Sequence, residues 1–423
     1  MESSMTSSAG TWRVLRHPPF RNLWLGQLVS AIGDYFYFLA VPIAVNRMTG
    51  GSTLAVGLAT ISFFLPQILF GLFAGVLVDR WDRRRTMIAT DLFRAFVVLG
   101  ALLVYLTDQL WIFYLVSFLI STASRFFFPA QMAVIPLIVE EEDLLAANGL
   151  NQITMTAGML IGPALAGLLI GSVGEPVAFV ADAISYLFSA AMIFTIRVPR
   201  TNGISVAEGQ STQVLWEDLK RGLRFLFSNR TLVGLVISVA VVQLGVGAIN
   251  VLWVPFLDRY FGAGPWEMGL VDALQGVGMA LGGIAVGALS DRFEKRWIGA
   301  VGIAVIGLAI AGMGVSPALV LIFLFAVLIG LALTPAQAAL TTVLQMVVPD
   351  ALMGRVNGAF GTFVTTASLV SMAVAAVLGD LIGLRVLYTV AGLIVALAGG
   401  LTLSLVEEPG TAAISVHNLP EAP

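Results

Sequence analysis

Gly75-Val-Leu-Val-Asp79-Arg80-Trp-Asp82-Arg83-Arg84-Arg85 returns 212 positions later as Gly287-Ala-Leu-Ser-Asp291-Arg292-Phe-Glu294-Lys295-Arg296. Each copy ends one apolar run and precedes another. A charged tight turn recurring at half the chain length marks a duplicated membrane protein whose halves use the same connection between two helices.

Composition agrees with that class. The 423 residues are 58% hydrophobic and 11% charged, well below the roughly 25% charged residues of a soluble domain. There is no cysteine, which excludes disulfides, thiolate metal sites and a thiol nucleophile. The two histidines, His17 and His417, stand near the ends of the chain, and no Gly-rich loop with Lys-Ser/Thr is present, so common hydrolytic and nucleotide chemistry lacks its residues. The net charge of −3 gives no sign of a nucleic-acid partner. The basic N-terminus leads through Pro18 and Pro19 into a long apolar run with no small-residue cleavage site, so the first helix is expected to serve as the insertion signal.

About 20 mostly apolar residues cross a bilayer as a helix, because backbone polar groups find no water there. Twelve such stretches are expected, at 20–44, 53–78, 86–106, 111–137, 150–171, 177–196, 231–256, 268–289, 297–314, 318–339, 357–379 and 386–406. The expected organisation is a six-helix bundle over 1–197, a linker over 198–230, a second six-helix bundle over 231–408 and a tail over 409–423. In the linker, Asn202 to Thr212 is rich in Ser, Thr and Gly and reads as flexible. Leu215, Leu219, Leu223 and Leu226 then recur at helical spacing, with Glu217 and Arg221 four apart on the other face, which predicts an interfacial helix.

Seventeen of the 22 Lys/Arg residues fall before the first span, in loops 2–3, 8–9 and 10–11, or in the linker. The positive-inside rule then places both termini in the cytoplasm. The repeat extends further. Pro129-Ala130-Gln131 returns as Pro335-Ala336-Gln337, Asn148-Gly149 as Asn357-Gly358, and the Gln27/Asp34 pair as Gln243/Asn250. Asp34 and Asn250 therefore stand opposite one another across a pseudo-two-fold axis.

Over nearly its whole length the chain resembles the major facilitator superfamily, an all-α membrane fold of twelve helices in two pseudo-symmetric bundles. The Gly75 to Arg85 segment is similar to that superfamily's signature between helices two and three, with Asp82 where a glycine is usual. The resemblance implies a cytoplasmic latch formed by Gly75, Asp79, Arg80, Arg83 and Arg84, closing on the start of span eleven near Arg355 to Gly361, with Asp291 and Arg292 as its weaker counterpart. Asp91 and Arg94 lie near the cytoplasmic end of span three and are expected to join the same latch. Gly158-Met-Leu-Ile-Gly162-Pro163-Ala-Leu-Ala166-Gly167 resembles the helix-five signature of superfamily exporters. Its physical content is close helix packing with a proline bend.

Membrane-embedded ionisable groups are costly enough to be rare and functional. Asp34 and Arg125 each fall about 14 residues into their spans, or roughly 21 Å along the helix. A carboxylate whose proton affinity responds to burial and to an approaching arginine could load and release a proton as the cavity alternates; the alternative is a permanent Asp34–Arg125 ion pair. Asp182 and Asp272, about five residues below the outer face, are expected to be reached by water in the outward-open state and to assist proton release there. Asn250 offers a neutral hydrogen bond.

Aromatic residues crowd spans one and four: Trp24, Tyr35 to Phe38, and Phe126 to Phe128. A cavity with aromatics, one acid and few fixed charges suits an amphipathic compound better than a sugar or phosphate. Phe20 to Gln27, Gly33-Asp34 and Ala147-Asn148 resemble the branch of the superfamily that holds macrolide efflux proteins and the enterobactin exporter. That implies proton-driven export of drug-like molecules, with siderophore export or lysophospholipid flipping as alternatives on the same fold. A non-transporting receptor is the alternative from another class. No cofactor is expected beyond the proton gradient, and the functional unit is expected to be a monomer in the inner membrane.

Overall fold

The computed structural model describes residues 13–198 and 212–407. Among them, twelve helices are long and apolar enough to cross a membrane. Spans one to six are Pro18–Met48, Thr53–Asp79, Arg83–Gly100, Trp111–Ile138, Leu144–Val173 and Glu175–Phe194. Spans seven to twelve are Arg230–Phe261, Pro265–Ser290, Lys295–Val315, Leu319–Val347, Asp350–Ile382 and Leu384–Leu405. Span three continues through one 3-10 turn, Ala101–Leu103, into Val104–Thr107. Spans five and eleven start six or seven residues earlier than their apolar runs, because polar first turns extend a helix past the hydrocarbon core without cost once water is available.

The sequence caps these helices locally. Asp82, in place of the usual glycine, accepts from Arg85 N at 2.9 Å and so starts span three. Asn229 accepts from Thr231 N and Leu232 N at the start of span seven, and prolines occupy the first turns of spans one, six and eight. Spans five and six are joined by Gly174 alone, at φ 102°, and spans eleven and twelve by Gly383 alone, at φ 100°. Only glycine adopts that backbone cheaply. These two hinges occupy equivalent places in the two halves.

Packing repeats as well. Span one lies against spans five and six, span two against four, and span three against four and six; span seven lies against eleven and twelve, eight against ten, and nine against ten and twelve. The bundles join through spans two and eleven and through five and eight, which are equivalent pairs. The linker helix, Thr212–Ser228, packs on the start of span eleven: a Cβ at Gly222 would lie 2.6 Å from Arg355 O, Leu226 is buried, and the Phe227 and Phe363 rings are 5.7 Å apart. It is thus docked on protein along this face, where the sequence reading expected only a membrane-surface spacer. The side chains of Leu215, Glu217 and Leu219 lie outside the described residues, as do 1–12, 199–211 and 408–423.

Candidate functional site

The face reached by the first span's beginning is termed the terminal face, and the other the distal face. At the distal face the bundles are sealed. Asn46 donates to Asp258 Oδ2 at 2.8 Å, Arg259 donates to Gly51 O at 3.2 Å and lies 3.8 Å from Asp380, and Asp380 accepts from Thr53 N at 3.1 Å. Below this polar lock the backbones touch. A Cβ at Gly269 would stand 2.2 Å from Pro163 O, and one at Gly167 would stand 2.5 Å from Pro265 O. In the terminal half, Gly71 and Gly75 of span two and Gly354 and Gly361 of span eleven meet nothing within 4 Å. The cleft therefore opens toward the terminal face.

At its inner end the cleft holds a cavity of about 260 Å³, lined by both bundles: Tyr37, Phe38, Phe63 and Ser117 on one side, Asn250, Trp253, Asp272, Gln275 and Tyr388 on the other, with aliphatic residues between. Asn250 and Asp272 are placed together here. With the distal face sealed, Asp272 is half-buried inside the bundle, because span eight leans against span five and carries its first turns under the seal; the sequence reading expected water there when that face is open. Trp24 is elsewhere, donating to Leu150 O at 3.0 Å, and Phe126 stacks on Trp81 away from the cavity.

Asp34 is exposed to the cleft one turn from Phe38. Its Oδ1 accepts from the Tyr186 hydroxyl at 2.6 Å. Behind it, four groups from spans three and six are almost completely buried: Asp91 and Asp182 at 0%, Tyr186 at 1% and Arg94 at 4% exposure. Arg94 donates to Asp91 and lies over the rings of Tyr186 and Phe127, at 4.3 Å and 4.7 Å from their centroids. Ser185 donates to Asp182 Oδ1 at 3.3 Å, and Gln27 donates to Ser189 at 3.0 Å. Gly33 is required here, since a Cβ would stand 2.1 Å from Ser185 Oγ. Asp91 Oδ2, Asp182 Oδ2 and Arg94 Nε lack hydrogen-bond partners among the described residues. Three carboxylates share one guanidinium. Electroneutrality of the set needs two further positive charges, which only protons or a cation from the cleft can bring.

Two expectations are corrected by this geometry, and a third concerns the state with the distal face open. Asp34 is not paired with Arg125; it stands in the field of Arg94, while Arg125 Nε has no partner. Asp91 and Arg94 do not belong with the loop between spans two and three. They face into the bundle, because a helix places residues three apart on one side and that side of span three packs on span six. Asp182, expected to be wetted when the distal face is open, is dry with that face sealed. Span six is enclosed by spans one and three, so a residue near its distal end is as dry as one at its centre.

The loop arginines hold their own bundle. Arg83 donates to Ala133 O at 3.2 Å, and Arg84 donates to Ile193 O at 3.2 Å and to Phe194 O. Gly75, expected to allow close approach, meets open space. The Asp79 side chain lies outside the described residues, and Arg80 is exposed. Asp291 and Arg292 are exposed, as a solvated turn requires. The helix-five motif does make close contacts: a Cβ at Gly158 would lie 3.2 Å from Ala31 O, and one at Gly162 would lie 2.6 Å from the Tyr35 ring. Sequence reasoning missed Tyr186, Ser189, Trp253 and Gly269. Asp182, Ser185, Tyr186 and Ser189 recur at helical spacing, and that polar stripe inside an apolar span was the available signal.

Two pseudo-symmetric bundles, sealed at one face around an apolar cavity with a few polar groups, define a membrane transporter and not an enzyme. The chain belongs to the Major Facilitator Superfamily, whose family model matches residues 23–243 and 235–419. Macrolide efflux protein A of Streptococcus pyogenes is 27% identical over 386 residues, covering 89% of this chain and 93% of that one. The enterobactin exporter EntS of Citrobacter koseri is 25% identical over 345 residues, covering 81% and 80%. Among solved structures, a bacterial homologue of the iron transporter ferroportin in an inward-facing state superposes with TM-score 0.73 at 18% identity, covering 93% of this chain and 99% of that one. A D-xylose-proton symporter gives 0.70 at 16%, covering 92% and 98%.

Proposed function

We propose that the protein exports amphipathic, drug-like or macrolide-like molecules by alternating access with proton antiport. The observation that carries this reading is the union of a cleft-exposed carboxylate, Asp34, with a buried acid-rich cluster reached through Tyr186, beside an apolar and aromatic cavity. A proton entering at Asp34 neutralises one member of the set, and its departure restores the charge that disfavours closing the cleft around it. Substrate and proton then compete for the same state. Export as the direction is supported by the helix-five resemblance and by the similarity to a macrolide efflux protein and an enterobactin exporter.

In this reading the terminal face is cytoplasmic, the protein is a monomer in the plasma membrane, the open cleft is the loading state, and the two Gly-x-x-x-Asp-Arg turns close it. The test is uptake of a macrolide into inside-out vesicles under an imposed proton gradient. The parent is expected to accumulate it, and Asp34→Asn to bind it without gradient-driven accumulation. Normal accumulation by Asp34→Asn would remove Asp34 from the mechanism.

A further inference from the structure

Asp272 is the one charged residue among those lining the cavity. Among the described residues no hydrogen bond or ion pair reaches it, although Tyr35 and Tyr388 are close enough to feel its charge. Across the same space the Trp253 indole N–H has no acceptor among the described residues. A carboxylate without donors in an apolar surround is costly unless something brings a positive charge to it. Among the described residues no lysine or arginine lines the cavity to supply it. Asp34, the other acid facing the cleft, is already engaged by Tyr186.

We propose that Asp272 anchors the positive charge of a lipophilic organic cation, such as a protonated amine carried on an apolar body. The aromatic side chains Tyr37, Phe38, Phe63, Trp253 and Tyr388 line that cavity, and aromatic faces attract cations as well as apolar surface. Trp253 Nε1 serves a neutral acceptor on the same molecule. The two bundles therefore divide the work: the first carries the proton-handling acids, and the second carries the charge that selects cargo. This assignment rests on the transport reading, which supplies a reason for the cavity to take a ligand, and it makes Asp272 a specificity-determining residue.

The experiment is equilibrium binding of tetraphenylphosphonium and tetraphenylborate, which share a shape and differ in sign of charge, to the purified protein in detergent. The parent is expected to bind the phosphonium at least about tenfold more tightly than the borate, as close charge complementarity in an apolar site predicts. Asp272→Asn should bring the two within about threefold, and Asp272→Glu should keep the preference. Asp108→Asn, the same charge change on an exposed distal loop, should leave it unaltered. A parent that does not discriminate, or an Asp272→Asn variant that discriminates as the parent does, overturns the proposal. The parent measurement decides even if the variants do not fold. Gradient-driven macrolide uptake without charge preference would sink this inference alone; preference without any gradient-driven uptake would sink the transport reading and leave the cation site standing.

Discussion

Tyr186 of span six donates its hydroxyl to Asp34 of span one at 2.6 Å, while the face of its ring carries the Arg94 guanidinium 4.3 Å from the centroid. One side chain thus connects the cleft to the buried charge. Tyr186→Phe keeps the ring and removes the bond. A hydrogen bond to an ionised group contributes about 1.5–3 kcal/mol, so gradient-driven transport should slow by roughly tenfold or more while substrate Kd stays within about threefold. Initial rates and Kd measured on one preparation separate the two; an unchanged rate would reduce Tyr186 to a packing residue.

The two arginines inside the first bundle should behave differently. Arg94 is 4% exposed and holds Asp91, which is 0% exposed. Arg94→Ala leaves that acid buried and unpaired and should cost about 3–5 kcal/mol. Adding Asp91→Ala should recover much of the loss, because removing both partners of a buried pair is far cheaper than removing one. Arg125→Ala breaks no hydrogen bond or ion pair among the described residues and should change stability by less than about 1 kcal/mol. Thermal unfolding in detergent ranks the four proteins.

The contrast also marks what a single sequence can reveal. The duplication, the twelve spans and the family were legible from turn residues, apolar length and motif spacing, all of which are local. Asp34 was legible as an intramembrane charge. Its partner was not. Arg125 shares the depth of Asp34, and depth along a helix is what sequence supplies; which way each helix turns its charged face depends on neighbours that follow from tertiary packing. Asp182 shows the same limit. Its position near a helix end implied water once the distal face opens, whereas its dryness with that face sealed is decided by the spans that enclose it. Gly269 lay outside every recognised motif, although it meets Pro163 of the motif that was recognised.

The distal lock predicts a shift in conformational balance. Asp380 accepts from Thr53 N and pairs with Arg259, and Asp258 accepts from Asn46. Losing one such interaction should weaken the seal by about 1 kcal/mol, or roughly fivefold in population. The chain has no cysteine, so spin labels on cysteines substituted at Gln109 and Ala318, both distal and on opposite bundles, report the distance without interference. Asp380→Ala and Asp258→Ala should each increase the long-distance fraction. No change would show that these contacts do not hold the distal face shut.

The two copies of the repeated turn are expected to differ in weight. Arg84 donates to Ile193 O and Phe194 O and lies 5.3 Å from the Phe194 ring, whereas Arg292 is exposed. Arg84→Ala should lower stability by about 1–2 kcal/mol; Arg292→Ala should fall within about 0.5 kcal/mol of the parent. Equal losses in thermal unfolding would refute the asymmetry.

The contact between spans five and eight carries the sharpest steric prediction. A Cβ at Gly269 would lie 2.2 Å from Pro163 O, and the opposing Gly167 has Gly269 Cα 3.1 Å from its own Cβ position. Both obstacles are backbone, which cannot rotate out of the way as a side chain can. Pro163 adds stiffness, since it has no N–H and fixes the local turn. Gly269→Ala must therefore push the spans apart along the seal, at an overpacking cost of about 1–3 kcal/mol. That cost falls on the state in which the distal face is closed and is relieved when the bundles rock open there. Gly269→Ala should consequently lengthen the Gln109–Ala318 label distance and lower transport while sparing the fold. Gly75→Ala, in the open terminal half where no atom lies within 4 Å, should leave that distance unchanged. If Gly269→Ala instead keeps the parent's distance distribution, the close approach of spans five and eight does not control which face is shut.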